Sequence, residues 1–233
     1  MIGIPLPPSA INDGPPVTPR PSATVLLVRG GKRWELLLMR RPGGADFAPG
    51  AYVFPGGAVH AEDAQWPDEI RAAAVREVFE EVGILLARRS GRIARDADCL
   101  AVRSMVEQGA TFTDALGRRG LEPAHDRLVL FARWVTPERL SRRYDTRFFL
   151  ARVPGGQQVR PQEGEVTDWL WIAPERALAD PSLTLVYATR SVLESVAVGA
   201  SSSALIAKVR TQREVPIVQP RLVQTESGWE VVR

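Results

Sequence analysis

Residues 56 to 83 restrict this chain more than any other stretch. Phe54-Pro55-Gly56-Gly57 is followed by Arg76-Glu77-Val78-Phe79-Glu80-Glu81-Val82-Gly83. Wound as a helix, Glu77, Glu80 and Glu81 stand at i, i+3 and i+4 and crowd one face with carboxylates, while Ala72, Val75, Phe79 and Val82 trace an apolar stripe elsewhere. Like charges at that spacing repel, so the cluster calls for a cation, and oxygen-only donors suit a hard divalent ion such as Mg2+. The helix has ends as well: Pro67 fits a first-turn position, Asp68 and Glu69 complement the positive start, and Gly83 suits the C′ position. A solvated acidic face is the ordinary reading of a Glu-Glu pair alone. Two neighbours favour the metal: the glycines upstream let backbone approach a ligand, and Arg76, one turn before Glu80, is placed to orient a carboxylate.

From Arg76 through Ile84 the chain resembles the signature of the Nudix hydrolase family, which runs Gly, five residues, Glu, seven residues, Arg-Glu-aliphatic-any-Glu-Glu-any-Gly-aliphatic. The first half departs from it, because five residues after Gly57 stands Asp63 rather than Glu, and twelve residues separate Asp63 from Arg76. Either Asp63 or Asp68 takes the place of the first signature glutamate. The resemblance implies a three-layer α/β/α sandwich with a mixed β-sheet. It also implies Mg2+, with Mn2+ as a substitute, held by Glu77, Glu80 and Glu81 together with the Gly57 carbonyl. Arg76 would orient the carboxylates rather than touch substrate. The reaction implied is hydrolysis of the phosphoanhydride of a nucleoside diphosphate derivative. A further carboxylate from a distant loop often joins in this family as ligand or general base. Glu165, just before Asp168-Trp169-Leu170-Trp171, is the first candidate and Glu163 the second; a polar turn is the alternative for both.

Two further segments, Arg40-Arg41-Pro42 with Phe47 to Gly57, and Phe131 to Pro137 with Arg142 to Phe149, are similar to the branch containing peroxisomal acyl-coenzyme A diphosphatases. Leu37-Leu38, Arg41 and Gly50 to Gly57 agree with a motif of coenzyme A enzymes, whereas Met39 stands where that motif has threonine and its Leu-Arg and His are absent. Coenzyme A or acyl-coenzyme A is therefore the first substrate reading, with ADP-ribose, dinucleotides and nucleoside triphosphates kept beside it. Arg41, Arg142 and Arg143 are candidates to clamp substrate phosphates, since guanidinium forks fit phosphate oxygens. Phe47, Tyr52 and Tyr144 are candidates to stack on a nucleobase, and core packing is the competing role. A ligand-sensing module that keeps the fold without turnover is the reading of another class; such modules usually lose the glutamates, and all three are present here.

The chain has 233 residues, 45% hydrophobic and 24% charged, which suits one generous globular domain. A net charge of +3, with arginines spread in short groups, gives no dedicated nucleic-acid surface. A single cysteine, Cys99, rules out an internal disulfide and fits the cytoplasm, and neither a leader-like start nor a long apolar run points to secretion or a membrane. His60 and His125, the only histidines, lie far apart and give no zinc spacing.

Residues 1 to 21, with seven prolines, read as an extended arm, residues 22 to 198 as the Nudix domain, and residues 199 to 233 as an irregular tail that adds an edge strand or a homodimer contact. Within the domain, Ala23 to Val28 and Trp34 to Met39 read as a hairpin. Ile84 to Ala87 reads as a short strand and residues 88 to 127 as a helical insertion over the substrate mouth. Leu128 to Val135, Arg147 to Val153 and Asp168 to Ile172 read as strands, and Thr184 to Val198 as a helix covering the sheet.

Overall fold

Period-two alternation in two neighbouring apolar runs builds the centre of the protein. The computed structural model describes residues 8–45, 48–199, 201–225 and 228–232. In β1 (Arg20–Gly30) Ala23, Val25 and Leu27 join one core while Leu26 and Val28 join another, and β2 (Trp34–Arg40) divides Leu37 and Met39 from Leu36 and Leu38 in the same way. Strands apolar on both faces must be covered on both, and this dictates the layers.

The remaining elements are β3 (Tyr52–Val53), β4 (Gly56–Ala58), α1 (Glu69–Val82), β5 (Ala87–Arg89), β6 (Arg92–Ile93), α2 (Asp96–Glu107), α3 (Phe112–Arg118) and β7 (Glu122–Pro123). They continue with β8 (Val129–Val135), β9 (Tyr144–Arg152), β10 (Asp168–Ile172), α4 (Pro174–Ala179), α5 (Tyr187–Ala197), α6 (Ser202–Arg210), β11 (Ile217–Val218), β12 (Arg221–Thr225) and β13 (Gly228–Val232). The main sheet has eight strands, in the order β10-β2-β1-β9-β8-β11, with β3 on β2 and β4 on β1. It is mixed: β1 runs parallel to β9 and β11 to β8, and the other pairs are antiparallel. Helices α1, α2 and α3 pack on one face, and α4, α5 and α6 on the other. The result is an α/β/α sandwich.

Several local expectations are corrected. Asp68 is the N-cap of α1, its side chain accepting from Arg71 N, so Pro67 lies before the helix rather than in its first turn. Ile84 to Leu86 form no strand, because the Gln157 side chain takes the pairing that a neighbouring strand would supply. Leu85 N donates to Gln157 Oε1 at 2.8 Å, and Gln157 Nε2 donates to Leu85 O at 3.0 Å and Ala94 O at 2.8 Å. The region after residue 199 adds the expected edge strand, β11 on β8, but is more regular than expected: α6 starts at a Ser201 N-cap and buries Leu205 and Val209, and β12 and β13 form a hairpin. Residues 88 to 127 carry, besides α2 and α3, a small sheet of order β6-β5-β7. Among the described residues no single helix is long and apolar enough to cross a membrane.

Candidate active site

The site is organised by Arg76, which has no exposed surface. Its helix places it against the 3-10 turn Ala61–Gln65, and its five donors make five hydrogen bonds. Nε and Nη2 donate to the two oxygens of Asp63 at 3.1 and 3.0 Å, and Nη2 also donates to Ala58 O at 2.9 Å. Nη1 donates to Glu77 Oε1 at 2.7 Å and to Glu80 Oε2 at 2.8 Å. Burial works against the guanidinium charge, but Asp63, Glu77 and Glu80 outweigh it and raise its pKa further. Of the two aspartates left open by the sequence, Asp63 is the one tied to this arginine; it is itself buried and accepts from His60 N at 2.8 Å.

Glu81 lies on the other side. Its Oε2 accepts from Gly56 N at 2.8 Å, and the chain there is shaped by close approach. Gly56 has φ +154, and a Cβ on it would lie 2.3 Å from Ala23 O; a Cβ on Gly57 would lie 2.4 Å from the Glu77 carboxylate. Only glycine lets β4 slide between β1 and the glutamates. Burial, more than any other cause, raises all three carboxylates: Glu77 despite Arg76, Glu80 to about 7 despite Arg76, and Glu81 well above the usual range, with Glu77 adding to the effect.

Raised, mutually repelling carboxylates are what a divalent cation relieves, and their oxygens are the hard donors that Mg2+ or Mn2+ takes. The hydrogen bonds above use Glu77 Oε1, Glu80 Oε2 and Glu81 Oε2, leaving one oxygen of each outside them. The donor set and the glycine cradle therefore fit such an ion. Side-chain rotation has to bring the oxygens together, since among the described residues no three His, Cys, Asp or Glu groups already converge as a metal shell.

The loop between β9 and β10 lies over the end of α1: Arg160 N donates to Val82 O and Gln162 N to Glu81 O, both at 2.9 Å. Glu165 acts on Glu81 electrostatically from this loop, and Arg41 acts on it with the opposite sign. Glu163 and Glu165 are both exposed. Thr167 N donates to Arg40 O at 3.0 Å, so the segments carrying Glu165 and Arg41 are joined at their bases.

Other sequence candidates fall elsewhere. Tyr52 is a core residue rather than a stacking platform: it is 8% exposed, packs in the second core and donates to Asp168 Oδ2 at 2.6 Å, and burial, with Asp168, pushes its pKa up to about 12. Arg143 is buried and turned to backbone, Nε donating to Thr136 O at 3.1 Å and Nη1 to Val17 O at 2.7 Å, so it pins the N-terminal arm rather than standing open to a phosphate. Arg142 and Tyr144 are exposed next to it, at the start of β9. Phe47 lies outside the described residues. Sequence reasoning missed Glu62, which accepts from Thr113 N at 3.3 Å and adds to the negative field on Glu80. Its only sequence signal was its place beside Asp63.

This architecture has counterparts among known proteins. The crystal structure of a NUDIX hydrolase from Alicyclobacillus acidocaldarius superposes with a TM-score of 0.69 at 26% identity, over 82% of this chain and 96% of that one. The class is thus a Nudix α/β/α hydrolase fold. Residues 65–182 match the NUDT19 Nudix domain, and the chain belongs to the Nudix hydrolase family. Its relatives include the acyl-coenzyme A diphosphatase NUDT19 of Gallus gallus, 28% identical over 68% of this chain and 62% of that protein. A Caenorhabditis elegans protein whose name places it among the nudix hydrolases is 30% identical over 68% of this chain and 53% of its own length. The chain thus spans between half and two thirds of the length of the curated relatives it matches.

Proposed function

We propose that this protein is a Mg2+-dependent diphosphatase that hydrolyses the phosphoanhydride of a nucleoside diphosphate derivative, with coenzyme A or acyl-coenzyme A as the first substrates to test. The observation that carries the reading is Arg76, which holds Glu77 and Glu80 by one oxygen each from a fully buried position braced by Asp63. When bound, a divalent cation supplies neutralisation of diphosphate oxygens and lowers the pKa of water. Glu77, Glu80 and Glu81 would hold it, together with the Gly57 carbonyl. Arg76 fixes the carboxylates, and Arg41, whose charge acts on Glu81, would meet a phosphate oxygen. The Glu165 carboxylate accepts the proton of the attacking water, with Glu163 as the second choice. A P–O bond to water forms, the bridging P–O bond breaks, and two phosphomonoesters leave.

The substrate choice rests on the relation to acyl-coenzyme A diphosphatase NUDT19 and on Leu37-Leu38, Arg41 and Gly50 to Gly57. The partner is a small molecule rather than nucleic acid, and the compartment is the cytoplasm, where the buried Cys99 thiol, pushed up to about 11 by burial, stays reduced. The test is incubation with Mg2+ and a panel of coenzyme A, acyl-coenzyme A, ADP-ribose, NADH, diadenosine polyphosphates and nucleoside triphosphates. Release of 3′,5′-ADP and a phosphopantetheine, lost in Glu80→Gln, is expected. AMP from another substrate would transfer the assignment to that class, and turnover indifferent to Glu80→Gln would overturn the site.

A further inference from the structure

The departure from the family signature, the lengthened stretch between Asp63 and Arg76, forms a wall. Gln65 and Trp66 stand on one side of an open cavity of about 490 Å³, and Thr113, Asp114, Gly117 and Arg118 of α3 stand on the other. Both walls are anchored to the glutamate helix. Phe112 at the head of α3 packs on Phe79, with ring centroids 5.3 Å apart, and Phe79 is the neighbour of Glu80. On the opposite wall, Asp63 of the 3-10 turn is fixed by Arg76, and Trp66 packs against the first core. Glu62 joins the two, its carboxylate accepting from Thr113 N while acting on Glu80. The cavity therefore begins two residues after Asp63, and Glu62, which accepts from its Thr113 wall, also acts on the charge of Glu80.

We infer that this cavity is a specificity subsite that takes the neutral, hydrogen-bonding half of the substrate, the part beyond the diphosphate and away from the nucleoside. The inference rests on the diphosphatase reading. The lining selects the chemistry. The lining holds one acidic and one basic side chain, Asp114 and Arg118, so its formal charge is zero and it has no cationic excess to select a second phosphate. The Gln65 amide, the Thr113 hydroxyl, Asp114 and Arg118 offer donors and acceptors side by side, which suit amide and hydroxyl groups, while the Trp66 indole gives a flat apolar wall for the methylenes between them. A plain hydrocarbon chain would leave those polar groups facing it unpaired.

Two measurements test this. The first is the ratio of kcat/KM for coenzyme A, which carries a long amide-bearing arm, to that for ADP-ribose, which does not, in the wild type and in the exposed-residue double variant Gln65→Ala with Asp114→Ala. The ratio is expected to fall about tenfold, carried by KM, the equivalent of one lost polar contact. The second needs no turnover: titration of phosphopantetheine, which has no anhydride to cut, into the Mg2+-loaded protein, read by tryptophan fluorescence. Quenching in the wild type that disappears in Trp66→Phe supports the subsite. An unchanged kcat/KM ratio, or quenching that persists in Trp66→Phe, overturns it. The two readings fail separately: Trp66-dependent quenching with no turnover of any substrate removes the diphosphatase reading, and turnover with an unchanged ratio removes the subsite.

Discussion

Replacing Asp63 by Ala should cost far more than replacing Asp68 by Ala, although the two aspartates are nearly interchangeable on paper. Asp63 is 2% exposed and gives both oxygens to a fully buried arginine. Removing it strips Arg76 Nε of its acceptor, leaves Nη2 with Ala58 O alone, and deprives His60 N of a partner. Breaking a buried pair from one side costs about 3–5 kcal/mol. Asp68 caps α1 and pairs with Arg71, with both side chains about a third exposed. Losing a cap costs about 1 kcal/mol, and a half-exposed i,i+3 pair adds only a few tenths. With an m-value of roughly 3 kcal/mol per M urea for a chain of this size, the unfolding midpoint should fall by about 1–1.7 M in Asp63→Ala and about 0.3–0.5 M in Asp68→Ala. Urea titration followed by circular dichroism decides it. Equal shifts, or a larger one for Asp68→Ala, would refute the assignment of Asp63 as the brace of Arg76.

The glycines give a second contrast. Gly57→Ala should keep the fold but force the Glu77 carboxylate aside and weaken Mg2+ binding, whereas Gly56→Ala, which meets Ala23 O and Thr24 Cα and has φ +154, should lower the melting temperature outright; scanning calorimetry with and without Mg2+ separates the two. The pH dependence follows from Glu80, raised from 4.5 to about 7 mainly by burial. Because its folded pKa lies above the unfolded one, the metal-free protein binds more protons than the unfolded chain between those values, so this contribution is present below about 4.5 and lost as pH rises through about 7. The metal-free melting temperature should fall from pH 5 to pH 8, and the rise on adding Mg2+ should be larger at pH 8 than at pH 5. A rise independent of pH would show that Glu80 does not take part.

The glutamate helix was legible in the sequence because everything that defines it is local. Helical spacing alone puts Glu77, Glu80 and Glu81 together, and Gly83 ends the helix with φ +73. The two-faced strands were legible for the same reason, since alternation in Ala23 to Val28 and Leu36 to Met39 needs no partner to be read. What failed depends on contacts distant in sequence. The choice between Asp63 and Asp68 turns on which carboxylate folds back onto Arg76, and twelve residues of unknown path lie between. Tyr52 beside a glycine loop looked available for stacking, but its hydroxyl partner Asp168 is 116 residues away. Arg143 shares a dipeptide with Arg142, yet one is buried on backbone carbonyls and the other exposed, a difference set by the returning Val17 segment. The missing strand at Ile84 to Leu86 has the same origin, because the side chain of Gln157 supplies bonds that local pattern assigns to backbone.

If Glu77, Glu80 and Glu81 form a divalent-cation site held in place by Arg76, the metal-free protein should bind such an ion through them. Titration of Mn2+ into the metal-free protein, with free ion counted by electron paramagnetic resonance, tests it without reference to any substrate. Binding in the wild type should weaken about tenfold or more in Glu77→Gln and in Glu80→Gln, and in Arg76→Lys through loss of the fork that orients them. Mn2+ bound equally well by the wild type and by all three variants would contradict it.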